Sequence, residues 1–263
     1  MLLKDQVAIV TGGGKGIGKA IAKAFVDQGA AVAICGTDWP RLQETANELK
    51  SCGGRVLAVQ TDISKEDQVI RMVEQAVKEF GKIDILVNNS GIAGPSCYVV
   101  DMKLEEWNQV FAVDLTGAML CSREVLKHMI PRKSGNIIMI GAEGGRTGDG
   151  RSGQPRRTPY CCAKMGVIGL TESLGQEVGP YNIRVNCISA AAVRGDRWNR
   201  VLDYKAKAFG TNREEEAKKE IKSYSLGRPA EESELANCAV YLASSMSSAM
   251  TGQTLVNTCG RHI

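Results

Sequence analysis

Val7-Ala8-Ile9-Val10-Thr11-Gly12-Gly13-Gly14-Lys15-Gly16-Ile17-Gly18 runs a short apolar stretch into a glycine-rich turn, and a helical pattern follows at once through Phe25 and Val26. Strand, turn and helix in that order open a dinucleotide-binding unit. Glycines let the backbone approach a pyrophosphate, and the helix N-terminus behind them offers free N–H groups and the positive end of a dipole. Gly12, Gly14, Lys15, Gly16, Ile17 and Gly18 are the candidate cradle. A lone glycine-rich turn is a weak signal; this one gains weight because its strand and helix are both in place.

The pattern repeats outward from the turn. Ala31 to Cys35 reads as a second strand, ending at Gly36-Thr37-Asp38, and Pro40 sits where a first helical turn accepts it. Arg55 to Gln60 is a third strand, followed by Thr61-Asp62-Ile63-Ser64 and a helix expected to be capped by Ser64, with Asp67 three residues on. Ile83 to Val87 is a fourth strand, ending in Asn88-Asn89-Ser90-Gly91. Leu104 to Met129 carries helical periodicity, expected to break at Pro131. Asn136 to Ile140 and Ile183 to Ile188 are further strands with a helix between them. Strands alternating with helices of this length predict an α/β fold: a Rossmann-type, doubly wound parallel sheet of about seven strands with helices on both faces. No linker or repeat divides the chain, so residues 1–263 are expected to form one domain.

Composition narrows the function. The 263 residues are 43 % hydrophobic and 24 % charged, an ordinary soluble composition. A net charge of +4, spread along the chain, gives no basic block of the kind that binds nucleic acid. The N-terminus runs straight into strand pattern, and no apolar run is long enough to span a membrane, so a cytoplasmic protein is expected. Nine scattered cysteines and two histidines have no metal-site or disulfide-framework spacing and read as reduced thiols with no metal.

The chemistry points to Tyr160-Cys161-Cys162-Ala163-Lys164. Four residues is about one helical turn, so the phenol and the ammonium share a face. A fixed positive charge favours phenolate over phenol, which makes Tyr160 a candidate acid and base. Near the second strand, an acid at Gly36 would bind the ribose hydroxyls of NAD and repel a 2'-phosphate. With glycine there, Lys15 in the turn and Thr37 offering a hydroxyl, NADP is the preferred cofactor. Asp38 is the residue that argues for NAD.

These motifs together resemble the classical short-chain dehydrogenase/reductase family over essentially the whole chain: Thr11-Gly12-x-x-x-Gly16-Ile17-Gly18, Asp62, Asn88-Asn89-Ser90-Gly91, Tyr160-x-x-x-Lys164 and Thr251-Gly252-Gln253-Thr254. The resemblance implies hydride transfer between a nicotinamide and a carbonyl or secondary alcohol. Tyr160 would move the oxygen-bound proton and Lys164 would hold the nicotinamide ribose. It also implies cofactor contacts at Asp62, Ile63, Asn88, Gly91 and Val193, and a dimer or homotetramer built on the two long helices that end near Pro131 and Pro180.

The chain departs from the family pattern at the reacting centre. Ala142 stands where the family carries its catalytic serine, Asp114 where it carries asparagine, and Ala190-Ala191 where it carries Pro-Gly. The segment between Ala142 and Tyr160 is longer than usual. It holds Arg146, Arg151, Arg156 and Arg157, while Arg194, Arg197 and Arg200 follow the sixth strand. The substrate-side loops, about 143–159 and 190–225, are thus rich in guanidinium and suit an anionic small-molecule substrate. Two other readings use the same scaffold: a dinucleotide-binding protein with reduced catalysis, and non-redox chemistry such as dehydration or epimerisation.

Overall fold

The computed structural model describes residues 1–142 and 154–261. Among the described residues, seven strands form one parallel sheet in the order β3-β2-β1-β4-β5-β6-β7. They are β1 (Val7–Thr11), β2 (Ala31–Gly36), β3 (Val56–Gln60), β4 (Ile85–Asn88), β5 (Gly135–Ile140), β6 (Ile183–Ala190) and β7 (Thr254–Asn257). The helices are α1 (Gly16–Asp27), α2 (Trp39–Ser51), α3 (Glu66–Phe80), α4 (Leu104–Phe111), α5 (Gly117–Arg132), α6 (Thr158–Val178), α7 (Asp196–Phe209), α8 (Arg213–Ile221) and α9 (Glu232–Ala243).

Strand periodicity explains why both faces are covered. Val10, Ile34, Val87, Ile138 and Ile188 face one core, which α1, α2 and α9 close with Ile21, Phe25, Leu42, Leu49 and Leu235. Their sequence neighbours Ile9, Ala33, Leu86, Ile137 and Cys187 face the other, closed from α3, α5 and α6 by Met72, Val73, Val125, Met129 and Val167. Successive side chains alternate across a strand, so apolar runs in a parallel sheet serve two cores at once. The order of connections reverses between β1 and β4, and the crevice at the C-terminal ends of those strands is where such sheets bind ligands.

Several local expectations are corrected. Ser64 does not cap α3: Lys65 occupies the cap position, and the Ser64 hydroxyl instead donates to Asp62 Oδ1 at 2.7 Å. Glu66 and Asp67 in the first turn meet the helix dipole in its place. Pro131 does not break its helix. It lies in the last turn of α5, where it removes one N–H and no further turn follows, and Lys133 ends the helix in a left-handed conformation at φ 50°. Residues 104–129 are not one helix: α4 and α5 are joined by a turn of π-helix, Ala112–Thr116. The fourth strand starts at Ile85, two residues later than its apolar run, because the Asp84 carboxylate takes the Val7 N–H at 2.9 Å and pairs with Lys82 and Arg132.

Candidate active site

The glycine turn is tied to the end of β4. Thr11 Oγ1 accepts the backbone N–H groups of Asn89 and Ser90, each at 2.9 Å, and Asn89 Nδ2 donates to the Thr11 carbonyl at 2.8 Å. The spacing is too tight for side chains. A Cβ on Gly18 would stand 2.3 Å from the Gly12 carbonyl oxygen, and one on Gly12, at φ +66°, would stand 2.8 Å from Asn89 Nδ2. The first turn of α1 has no side-chain cap and no acidic residue, and Lys15 at its cap position is exposed. An uncapped helix start of this kind leaves backbone N–H groups free to meet an anion.

A carboxylate absent from the sequence reading lies at the same place. Glu232, in the first turn of α9, brings Oε1 to 3.6 Å from where a Gly16 Cβ would be and 2.7 Å from where a Gly195 Cβ would be. Burial raises its carboxyl above the ordinary value, and Asp196 and Glu231 add to the effect while Lys19 opposes it. No local pattern flags Glu232, because only the packing of α9 on α1 brings it there.

On the adenosine side, Gly36 ends β2 and Thr37 is exposed. The Asp38 side chain caps α2, accepting Arg41 N–H at 3.3 Å, and lies 3.6 Å from Arg41 Nε. Asp62 Oδ1 accepts from the backbone and hydroxyl of Ser64 at 2.9 and 2.7 Å. Two predicted contacts turn their side chains away from the crevice. Ile63 packs under Gly117, whose Cβ would meet Ile63 Cδ1 at 2.7 Å, and Asn88 Nδ2 donates to Ser122 Oγ at 3.0 Å inside the core. It is Asn89, quoted in the motif but not singled out for a role, whose side chain binds the turn. Val193 bridges to Ala230, and Arg194 N–H donates to the Ala230 carbonyl at 2.8 Å.

Tyr160 and Lys164 lie in α6 and are 7 % and 5 % exposed. Lys164 Nζ donates to the Ile140 carbonyl at 3.0 Å, at the end of β5, and stands 3.7 Å from Asp114 Oδ2. Asp114 reaches that position from the π-helical turn, a widened helix turn that commonly marks functional sites. Its Oδ1 accepts the Ile92 N–H at 2.8 Å, and the loop after β4 packs so closely that a Cβ on Gly91 would lie 3.1 Å from Oδ2. Oδ2 has no hydrogen-bond partner among the described residues. Burial raises the Asp114 carboxyl above its usual range, and Lys164, the Ile92 N–H and Arg197 pull it back down. Ala142 is buried against Tyr160 and Cys161.

Two guanidinium groups flank the phenol. Arg157 Cζ lies 4.1 Å and Arg197 Cζ 5.3 Å from the Tyr160 ring centroid, with Lys164 Nζ at 5.9 Å. Arg157, three residues before Tyr160 in the same helical stretch, is legible from spacing. Arg197 comes from α7, and only the tertiary fold brings it to Tyr160. The stretch 143–153, which holds Glu143, Arg146, Thr147, Arg151 and Ser152, lies outside the described residues.

Residues 6–205 match the family described as short chain dehydrogenase, and the chain belongs to that family. Over 265 residues it is 36 % identical to the (2S)-[(R)-hydroxy(phenyl)methyl]succinyl-CoA dehydrogenase subunit BbsD of Thauera aromatica, covering 100 % of this chain and 99 % of that one. It is 37 % identical to the 3-oxoacyl-[acyl-carrier-protein] reductase FabG of Chlamydia muridarum, with 97 % and 96 % covered. Among solved structures, an NAD+-bound xylitol dehydrogenase superposes with a TM-score of 0.90 at 29 % identity, covering 97 % of this chain and 98 % of that one. An actinorhodin polyketide ketoreductase with NADPH gives 0.91 at 30 %, with 97 % and 96 % covered. The protein is thus an NAD(P)-dependent oxidoreductase. No helix among its described residues is long and apolar enough to cross a membrane.

Proposed function

We propose that this chain transfers a hydride between NADP and a carbonyl or secondary alcohol carbon, with Tyr160 as the group that gives or takes the oxygen-bound proton. The observation that carries the reading is the buried pair at the mouth of the crevice. Lys164 is fixed by the Ile140 carbonyl and faced by Asp114, one turn along α6 from a nearly buried phenol. When bound, the nicotinamide supplies or takes the hydride.

The chain's own residues do the rest. The turn from Gly12 through Gly14, Gly16, Ile17 and Gly18 holds the diphosphate, with Lys15 beside it. Asp62 with the backbone of Ile63 borders the adenine. Asn88 through its backbone, Gly91 and Val193 wall the nicotinamide end. Lys164 has three donors, of which the Ile140 carbonyl takes one, and it offers another to the nicotinamide ribose. Asp114 keeps that ammonium in place as its counter-charge. Ala142 puts a methyl group against Tyr160, and loss of one preorganised donor typically lowers a rate ~10²- to 10³-fold without abolishing it.

NADP is favoured over NAD because Gly36 offers no acid to a ribose, Lys15 and Thr37 are exposed nearby, and Asp38 is engaged as a helix cap beside Arg41. The guanidinium groups around Tyr160 favour an anionic substrate. Nine free thiols suit a reducing cytoplasm. The outer faces of α5 and α6, with Met119 and Met165 exposed beside Gly166 and Gly169, suit a homo-oligomer, most simply a tetramer.

Tyr160→Phe tests the reading. Its kcat should fall ~10²- to 10⁴-fold while NADPH binding, followed by fluorescence, stays close to wild type. An unchanged kcat would refute the assignment. Ala142 and Asp114 favour the second reading, a dinucleotide-binding protein with reduced catalysis. That one requires tight NADPH binding and no Tyr160-dependent turnover of any ketone or alcohol.

A further inference from the structure

Several arginines that brace this fold are matched to acids. Arg213 is bidentate on Asp203 at 2.6 Å, Arg228 holds Glu234 at 2.7 and 2.8 Å, and Arg194 pairs with Glu231 at 2.7 Å. The two guanidinium groups at Tyr160 are not so matched, and both converge on one ring. Among the described residues neither is paired with a carboxylate. Arg157 spends one N–H on Gln154 Oε1 at 3.0 Å, and Arg197 is exposed. Both lie over the ring of the same phenol, and a guanidinium stacked on an aromatic face keeps its in-plane N–H fork free. Arg197 is also close enough for its charge to be felt at Asp114.

From this placement we infer that Arg157 and Arg197 read a free carboxylate of the substrate, attached to the reacting carbon or one carbon from it. The substrate class is then a short oxo acid or its hydroxy acid, such as a 3-oxo acid. The inference rests on Tyr160 being the group that meets the reacting oxygen. The phenol fixes where that oxygen binds, and the two forks at 4.1 and 5.3 Å from its ring fix where an anion must follow. The phosphates of a coenzyme A or carrier-protein thioester lie a long pantetheine arm away from the carbonyl, so cations packed on the catalytic phenol are misplaced for them. A carboxylate next to the carbonyl is within reach of both. In the reduction direction hydride goes to the carbonyl carbon, the C=O π pair takes the proton from Tyr160, and the carboxylate is unchanged.

The test compares an acid with its ester. Reduction of 3-oxobutanoate and of methyl 3-oxobutanoate by NADPH is followed in wild type, Arg157→Gln, Arg197→Gln and the double variant. Calorimetry in the presence of NADP+ measures binding of succinate and of dimethyl succinate. Wild type should prefer the acid on the order of 100-fold in kcat/KM, and the double variant should bring the acid-to-ester ratio near one. Succinate should bind and its diester should not, with binding lost in the double variant. Equal use of acid and ester, or failure of succinate to bind, overturns the inference whether or not turnover is seen. Carboxylate binding that depends on both arginines, with no Tyr160-dependent turnover, would keep the anion site and discard the redox reading instead.

Discussion

Lys164 Nζ stands 3.7 Å from Asp114 Oδ2, with both side chains almost wholly buried. The distance is that of an ion pair without a hydrogen bond, so Asp114 acts on Lys164 as a charge and leaves its donors for other acceptors. The pair joins the π-helical turn before α5 to the face of α6 that carries Tyr160.

Asp114 makes stability depend on pH in a stated direction. Burial raises its folded-state carboxyl above the unfolded value of about 4. A raised carboxyl contributes stability that is fully present below the unfolded value and is lost as pH rises through the folded one. Urea denaturation of wild type against Asp114→Asn should therefore show wild type gaining on the variant as pH falls from neutrality towards 4. A difference that is flat, or that grows the other way, removes this account of the pair.

Gly18 admits no side chain. A Cβ there would lie 2.3 Å from the Gly12 carbonyl oxygen, a backbone atom that cannot rotate away. Gly18→Ala should destabilise the protein by at least about 2 kcal/mol and abolish the thermal shift that NADPH gives to wild type. A variant with normal melting and a normal NADPH shift would mean the turn is looser than this packing.

Glu232 should make cofactor affinity pH-dependent. Its carboxyl, raised chiefly by burial, ionises as pH rises and places a negative charge at the N-terminus of α1, where the diphosphate is expected. NADPH should bind more weakly as pH climbs through that ionisation. In Glu232→Gln the profile should flatten and affinity at pH 8 should improve roughly fivefold, the size of one charge at a helix end. Parallel pH profiles for the two proteins would count against it.

Among the described residues nothing lies within 4 Å of where a Cβ on Gly169 of α6 would be, and Met165 on the same helix is exposed. If this face joins copies of the chain, Gly169→Trp should lower the mass seen by light scattering. The fold should survive, since replacing a mid-helix glycine favours helix by up to about 1 kcal/mol. A variant with the wild-type mass places the contact elsewhere.

The sequence by itself determined the parallel sheet, the glycine cradle and the one-turn spacing of Tyr160 and Lys164, because each is a local consequence of periodicity or of residues a few positions apart. It also identified Arg157 and Arg197 as cations near the substrate side, without saying where they point. Its errors were of one kind: Ser64, Pro131 and the unbroken helix from 104 to 129 were judged on local preference, and packing decided otherwise. Asn88 and Ile63 were named as cofactor contacts by motif; their side chains pack on Ser122 and Gly117, which leaves their backbones to face the crevice. Only the tertiary structure placed Asp114 against Lys164, Glu232 against the cradle, and Arg197 over the same phenol as Arg157. Those relationships join residues far apart in the chain, and no periodicity records them; they exist because α5, α6, α7 and α9 converge on the C-terminal edge of one sheet.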